Sequence, residues 1–323
     1  MSQQTGEWEM TVERACMLAV DLGGTKIAGG YIDPEQPTVV HGRTQQPTLA
    51  MDGPATVIEQ LSKVLAELIA SAEQAGYTPA AVGLGSPGVI NPDTGMVVNV
   101  GQTMPGWAGT NVKAAMTTIT GLPAAVHNDV RVMGLGEAVY GAGKGFADVL
   151  FVSIGTGIGG AVVRNGALDP SPHHSRGEIA YLACPQPEGN CDIIENAGSG
   201  PALAKRYRQR KGITDPSVDL REVMRRWYDG DQTAKDVIAE SMECTGRGLA
   251  GYVNALDVSA VVIGGGVATI GEPIIAPLEK AFRADLLDGM DDMVVTTTEF
   301  GTDAPLIGAA CLAGTALEHT SPK

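Results

Sequence analysis

Short, wholly apolar runs along this chain alternate with longer stretches in which apolar residues recur every three or four positions. Residues 17–20 form one apolar run and residues 27–32 another, with Gly23 and Gly24 between them. A glycine pair between two β-prone runs predicts a hairpin, because glycine accepts the positive φ that tight turns need. The plan returns at 149–164: an apolar run, then Gly155, Thr156, Gly157, Ile158, Gly159 and Gly160, then a second apolar run. A repeat separated by well over a hundred residues is too long for a solenoid. It predicts two domains of similar design, each offering a glycine turn to one phosphate chain.

Between the hairpins, a third strand is expected at 39–40. Residues 54–75 have helical spacing, with Val57, Leu61, Val64, Leu65, Leu68 and Ile69 on one face, and Gly76 stops the helix. A short buried strand at 81–84 enters the turn Gly85-Ser86-Pro87-Gly88, at a strand end where ligands sit in open α/β sheets. Residues 91–99 read as a hairpin around Pro92-Asp93-Thr94-Gly95, 111–120 as helix and 124–127 as strand. Asn128-Asp129 caps a helix over 130–140, and 141–145 is a loop. After the second hairpin, 165–195 carries Pro170, Pro172, Pro185 and Pro187; it is the longest irregular stretch and a natural substrate loop. Helices follow at 199–211, 219–229 and 231–255. A strand at 258–263 then enters Gly264-Gly265-Gly266. A helix at 272–286, a strand at 293–298 and a last helix at 305–317 complete the pattern. Strands and helices alternating, with glycines at strand ends, make a layered α/β fold.

Composition narrows the function. With 323 residues, 44% hydrophobic and 18% charged, the chain is globular and long enough for two domains. Aromatics are 4% and glycines number 43, so the core is Ala, Val, Leu and Ile with many tight turns. A net charge of −15 argues against nucleic acid or an anionic membrane as partner. Five scattered cysteines, Cys16, Cys184, Cys191, Cys244 and Cys311, suggest no disulfide framework. Residues 1–15 read as a loose polar N-terminus without a signal peptide, and no apolar run reaches the ~18 residues of a membrane span. A cytoplasmic location is expected.

The stretch 21–26, Asp-Leu-Gly-Gly-Thr-Lys, is the first candidate for chemistry. Glycine N–H groups approach an anion closely, Thr25 adds a hydroxyl, Lys26 a cation, and Asp21 suits Mg²⁺ or its waters. An ordinary hairpin with a Gly-Gly turn is the alternative. The stretch is not a Walker A loop, and a strand rather than a helix follows the glycines, so it is not a dinucleotide fingerprint.

Four features in order, 21–26, Asn128-Asp129, Ser-Ile-Gly-Thr-Gly-Ile-Gly-Gly at 153–160 and Val-Ile-Gly-Gly-Gly-Val-Ala at 262–268, resemble the ROK family of sugar kinases. Pro-Leu-Ile-Gly-Ala-Ala-Cys-Leu-Ala-Gly at 305–314 resembles that family's closing helix. The resemblance implies a two-domain actin-like ATPase (ribonuclease H-like) α/β fold with a central cleft. Residues 16–122 would form the smaller domain, with 305–323 packing back on it, and 123–304 the larger. It implies ATP and Mg²⁺ as cofactors and a hexose or N-acetylhexosamine as acceptor, glucose or N-acetylmannosamine first, at the 6-hydroxyl. Asp129 would be the general base and Asn128 a sugar contact. Asp21, Gly23, Gly24, Thr25, Lys26, Gly155, Thr156, Gly157, Gly264, Gly265 and Gly266 would face the nucleotide, with Asp21 near Mg²⁺. Gly88, Asn99, Thr103, Glu178, Tyr181 and Glu195 would approach the sugar. A homodimer is expected, with no nucleic acid or membrane partner.

The departures matter as much. Tyr181 stands where the family's segment Gly-Glu-Ile-Gly-His has its zinc-binding histidine. Only Cys184 and Cys191 remain of its Cys-x-Cys-Gly-x-x-Gly-Cys run. Two thiolates do not complete a tetrahedral site, so no structural zinc is expected, although His173 and His174 lie upstream. Asn128-Asp129-Val130-Arg131 replaces the usual Asn-Asp-Ala-Asn. Arg131 is then either an outward helix residue or the partner of a carboxylate. The alternatives to a kinase are a sugar-binding pseudo-kinase and a ROK-type transcriptional regulator lacking its DNA-binding domain.

Overall fold

In the computed structural model, residues 14–101 and 104–318 are described. Residues 1–13 of the expected loose N-terminus and Thr103 lie outside them, whereas Arg14 and Ala15, expected to be loose as well, are already strand. In chain order the elements are β1 (Arg14–Leu22), β2 (Lys26–Ile32), β3 (His41–Pro47), α1 (Pro54–Gln74), β4 (Tyr77–Ser86), β5 (Val89–Asn91), β6 (Met96–Asn99), α2 (Val112–Thr120), β7 (Ala124–Asn128), α3 (Asp129–Tyr140), β8 (Asp148–Ile154), β9 (Ile158–Arg164), β10 (Ala167–Leu168), β11 (Ala183–Pro185), β12 (Cys191–Ile193), α4 (Ile194–Gly198), α5 (Gly200–Lys211), α6 (Leu220–Tyr228), α7 (Gln232–Leu256), β13 (Ala260–Gly264), α8 (Glu272–Ala284), β14 (Val294–Thr297) and α9 (Ala304–Glu318).

The weak repeat in the sequence is a strong repeat in space. One sheet runs β3-β2-β1-β4-β7 and the other β10-β9-β8-β13-β14. In each, an antiparallel hairpin leads into two further parallel strands. Parallel strands covered on both faces read as continuous apolar runs, which is why 17–20 and 149–152 stand out. Alternate residues serve different cores. Leu18, Val20 and Leu22 pack with Leu61, Val64, Leu65 and Leu68 of α1. Ala19, between them, joins Val132, Leu135, Phe151, Ala161, Leu306, Ile307 and Ala309, so α3 and α9 fill the space between the sheets. Leu150, Val152 and Ile154 face the third core, with α5, α7 and α8.

Small residues bring the central elements close. A Cβ on Gly83 of β4 would lie 1.9 Å from the Ala309 carbonyl oxygen, and one on Gly308 would lie 1.8 Å from that of Val132. Glu137, fully buried on α3, accepts backbone N–H groups of Glu299 and Phe300 at 3.0–3.1 Å and ties the entry of α9 to α3.

The third strand is displaced from its expected place. Residues 39–40 lie outside it, and β3 is His41–Pro47, a polar edge strand. Edge strands carry polar side chains against wrong pairing, so a hydrophobic pattern passes them over. The irregular stretch 165–195 is also more ordered than its prolines suggest, since β11 and β12 pair as a two-stranded ribbon there. Among the described residues no helix is long and apolar enough to cross a membrane.

Gly308→Ala is expected to cost about 1–3 kcal/mol through overpacking against α3. Gly314→Ala, on the same helix but with open space around it, is expected to gain about 0.5–1 kcal/mol. Urea unfolding reads both, and equal midpoints for the two variants would contradict the close packing of α9.

Candidate functional site

The parallel register collects the chemistry at one edge. Asp21 of β1 pairs with Gly85 of β4, and Ser86 pairs with Asn128 of β7. Asp21, the Gly85–Gly88 turn and Asn128-Asp129 therefore share the C-terminal ends of adjacent strands. In the other sheet, Ser153 of β8 pairs with Gly264 of β13, which sets the second glycine hairpin beside the Gly264–Gly266 turn. Gly159 brings the two groups together, because a Cβ there would lie 3.0 Å from the Val130 side chain.

Asn128 caps α3 and organises three segments. Its Oδ1 accepts the Arg131 N–H at 3.2 Å, and its Nδ2 donates to the Gly88 carbonyl at 3.0 Å and to Asp129 Oδ1 at 2.9 Å. The Val130 N–H also donates to Asp129 Oδ1, at 2.9 Å. Burial pushes the Asp129 carboxyl up to about 6, helped by the charges of Asp21 and Glu178 and opposed by the Val130 N–H. Burial likewise pushes Asp21 up to about 6, with Lys26 pulling the other way. His127 has its Nδ1 occupied by the Asn128 N–H at 2.8 Å. Burial holds it neutral, its pKa lowered to about 3.

Gly23 closes the first turn by donating its N–H to the Lys26 carbonyl at 2.9 Å. Thr48, which the sequence pattern does not reveal, pins this turn: its hydroxyl donates to the Gly23 carbonyl at 2.6 Å and its N–H to the Thr25 carbonyl at 3.0 Å. The hairpins are as expected, but Gly23 does not adopt the left-handed backbone expected of its turn, and neither Gly155 nor Gly157 adopts it in the second. Space explains Gly157 and, at 3.2 Å from the Lys26 carbonyl oxygen, Gly23, whereas a Cβ on Gly155 would meet nothing nearer than 3.9 Å. A Cβ on Gly157 would lie 2.6 Å from Glu195 Oε2, which accepts the Ile158 N–H at 3.0 Å. Gly88 and Gly265 do need positive φ, at 98° and 88°.

The Gly155 carbonyl accepts the Gly200 N–H at 2.9 Å, so the N-terminus of α5 abuts the second hairpin. Ser199, its N-cap, makes no side-chain capping bond. A cavity of about 1080 Å³ opens here, lined by Gly155, Thr156, Gly200, Gly265, Gly266 and Met224 among others. Gly264 lies outside its lining; a Cβ there would meet Thr298 Cγ2 at 2.4 Å. A polar cavity of about 450 Å³ adjoins it through Thr156 and Pro201 and contains Glu195. A third, of about 270 Å³, lies along α3 at Arg131 and Leu135 and holds none of the expected site residues.

The sugar-side residues are spread more widely. Glu178 is paired with Arg131. Asn99 pairs with Val89 at the end of β6, against Gly88. Tyr181 is 74% exposed on a single 3₁₀ turn, Ile179–Tyr181. In the segment around Thr103, Met104 and Trp107 are buried, and the Trp107 indole N–H donates to Ser86 Oγ at 3.0 Å.

Cys184 is buried and Cys191 exposed on the β11–β12 ribbon. Among the described residues no group of three or more His, Cys, Asp or Glu side chains is placed to hold a metal. What stands there is Arg206, a residue the sequence pattern does not single out. Its buried guanidinium donates to Glu188 Oε1 at 2.7 Å, Gln186 Oε1 at 3.1 Å, Ser241 Oγ at 3.0 Å and the Ala197 carbonyl at 3.1 Å. It therefore ties the ribbon to α4, which carries Glu195. For Mg²⁺ the donor set fits in a limited way. A lone carboxylate such as Asp21, with phosphate oxygens and water completing the shell, is how this ion binds beside nucleotides.

Known proteins resemble this chain over most of its length. A family model described as the ROK family matches residues 17–316. A glucokinase of Halalkalibacterium halodurans is 30% identical over 322 residues, covering 91% of this chain and 94% of that protein. The ROK hexokinase of Thermus thermophilus superposes with a TM-score of 0.81 at 28% identity, covering 94% and 99% of the two chains. A glucokinase of Streptomyces griseus, solved in complex with glucose and AMPPNP, gives 0.75 at 26% identity, covering 93% and 99%.

Two carboxyl groups raised to about 6 from an ordinary 3.8 make stability depend on pH. Between those values the folded chain holds protons that the unfolded chain has released, so stability falls as pH rises through that window. Asp129→Asn is therefore expected to stabilise the protein at pH 7 by about 1–2 kcal/mol. The gain should vanish below pH 4, where wild type is protonated in both states. Thermal unfolding of both proteins across pH checks it; a lower melting temperature for the variant at pH 7 would contradict the burial cost.

Proposed function

The chain belongs to the ROK family and has its actin-like ATPase fold, and from there we propose that it transfers the γ-phosphoryl group of ATP to a hydroxyl of a hexose or N-acetylhexosamine. The 6-hydroxyl of glucose or N-acetylmannosamine is the first candidate. The observation that carries this reading is Asp129 itself. Its carboxyl is half-buried at a strand-to-helix turn, with Oδ1 engaged by Asn128 and the Val130 N–H. Oδ2 is left to meet a substrate hydroxyl.

In this reading the acceptor hydroxyl binds Asp129 Oδ2, which aligns it and takes its proton as the new P–O bond forms. Asn128, Gly88, Asn99, Thr103, Glu178, Tyr181 and Glu195 hold the sugar. The phosphates lie against Gly155, Thr156 and Gly157, with the N-terminus of α5 favouring negative charge beside them. Gly23, Gly24, Thr25 and Lys26 cover them from the other sheet. The nucleoside occupies the 1080 Å³ cavity, where Gly265 and Gly266 let backbone pass close and Gly264 packs behind. Asp21 would hold Mg²⁺, which when bound neutralises the developing phosphate charge. Residues 16–122, with α9, and residues 123–304 act as two domains that close over the substrates and exclude water, bringing Tyr181 to the sugar.

ADP release with Mg-ATP, measured against glucose, mannose, fructose, allose, N-acetylglucosamine and N-acetylmannosamine, tests the reading. One sugar should turn over, and Asp129→Ala should lose activity by about 10²–10⁴-fold. Silence on all six with ATP binding intact would overturn the kinase assignment in favour of a sugar-binding pseudo-kinase. For the active sugar, kcat/KM should fall as pH drops through about 6, because the base must be ionised. A profile flat down to pH 5 would exclude Asp129 as that base.

A further inference from the structure

We propose that Arg131 is a positioning residue for the sugar acceptor: its guanidinium reaches from the helix that begins with Asp129 to the 174–178 segment and fixes one oxygen of Glu178, so that the other oxygen faces the sugar. This rests on the kinase reading above.

The geometry is that of a buried clamp. Arg131 is only 4% exposed, two residues beyond Asp129 on the first turn of α3. One terminal nitrogen donates to Glu178 Oε1 at 2.8 Å and the other to the His174 carbonyl at 2.6 Å. These partners lie 47 and 43 residues away in sequence, on the stretch between β10 and β11. His174 adopts a left-handed backbone, φ 54°, and its carbonyl is the one that accepts the guanidinium. Such a backbone in a non-glycine residue persists only where its surroundings hold it, and here the arginine is one of the groups that does.

The chemistry of the side chain explains why arginine suits the place. A rigid planar fork can serve a carbonyl and a carboxylate at once in fixed directions, whereas lysine offers a point charge on a flexible stem. Glu178 gains a counter-charge where burial would otherwise favour its neutral form. Its side chain stays 31% exposed, so the carboxylate is anchored on one side and open on the other. A single helical turn thus sets two sugar-facing groups: Asp129 through Asn128, and Glu178 through Arg131. A carboxylate fixed in this way discriminates between sugars by which hydroxyl is presented to it, and that selectivity should depend on the fork.

The test is steady-state kinetics of Arg131→Lys, with and without Glu178→Gln, using the sugar that wild type phosphorylates. Arg131→Lys should raise the KM for that sugar about tenfold while the KM for ATP stays within about twofold. It should also narrow the rate differences across the six-sugar panel. In the Glu178→Gln background the lysine change should have little further effect on sugar KM, since the carboxylate it orients is gone. An unchanged sugar KM, equal rises in both KM values, or the same effect with and without Glu178→Gln would each overturn the proposal while leaving the kinase reading intact. A wild type that phosphorylates none of the six would instead overturn that reading, and this role with it. Should Arg131→Lys fail to fold, Arg131→Gln, which keeps a neutral donor for the His174 carbonyl, carries the same comparison.

Discussion

Two half-buried carboxyl groups at one end of one sheet, Asp21 and Asp129, are what the rest of the structure supports. Each has its pKa raised to about 6 chiefly by burial, and the charge of Asp21 adds to the cost of ionising Asp129. Such a pair persists where surrounding groups fix it and the fold repays the cost elsewhere. Asn128 provides the fixing, through bonds to Gly88, Asp129 and the Arg131 N–H. The repayment comes from three apolar cores that cover the inner strands of both sheets.

In the proposed reading, the doubled architecture turns that local arrangement into a place for two substrates. Two sheets of identical strand order present their parallel strand ends, one with Asp21 and Asp129, the other with the second glycine hairpin and the Gly265-Gly266 turn. The helices α3 and α9 lie between the sheets, and α9 approaches β4 and α3 so closely that Gly83 and Gly308 admit no side chain. Close packing of this kind bears on the position of Asp129, because α3 begins with it. The same helix carries Arg131 toward Glu178 and Glu137 toward the entry of α9.

Much of this was legible in the sequence for a physical reason. Strands buried on both faces must be continuously apolar, so β1, β2, β8 and β9 announced themselves, and glycines at their ends marked the turns. The polar edge strand β3 did not, because its exposed face carries no pattern. The glycines were read for backbone freedom, whereas Gly157 is needed to leave room for Glu195. Thr48 and Arg206 were invisible because their roles come from contacts across 25 and up to 35 residues that no local period encodes. Arg131 was left open between solvent and a carboxylate, and burial decides for the carboxylate. Cys184 and Cys191 lie on a ribbon that Arg206 joins to α4 through Gln186, Glu188 and the Ala197 carbonyl.

For the proposed transfer, what decides is where a sugar hydroxyl sits when both substrates are bound. A crystal structure with a non-hydrolysable ATP analogue, Mg²⁺ and the acceptor sugar tests this directly. The reacting hydroxyl should lie within about 2.6–3.2 Å of Asp129 Oδ2 and point at the γ-phosphorus. A hydroxyl out of reach of Asp129, or a nucleotide bound away from the Gly155–Gly157 turn and the 1080 Å³ cavity, would contradict it.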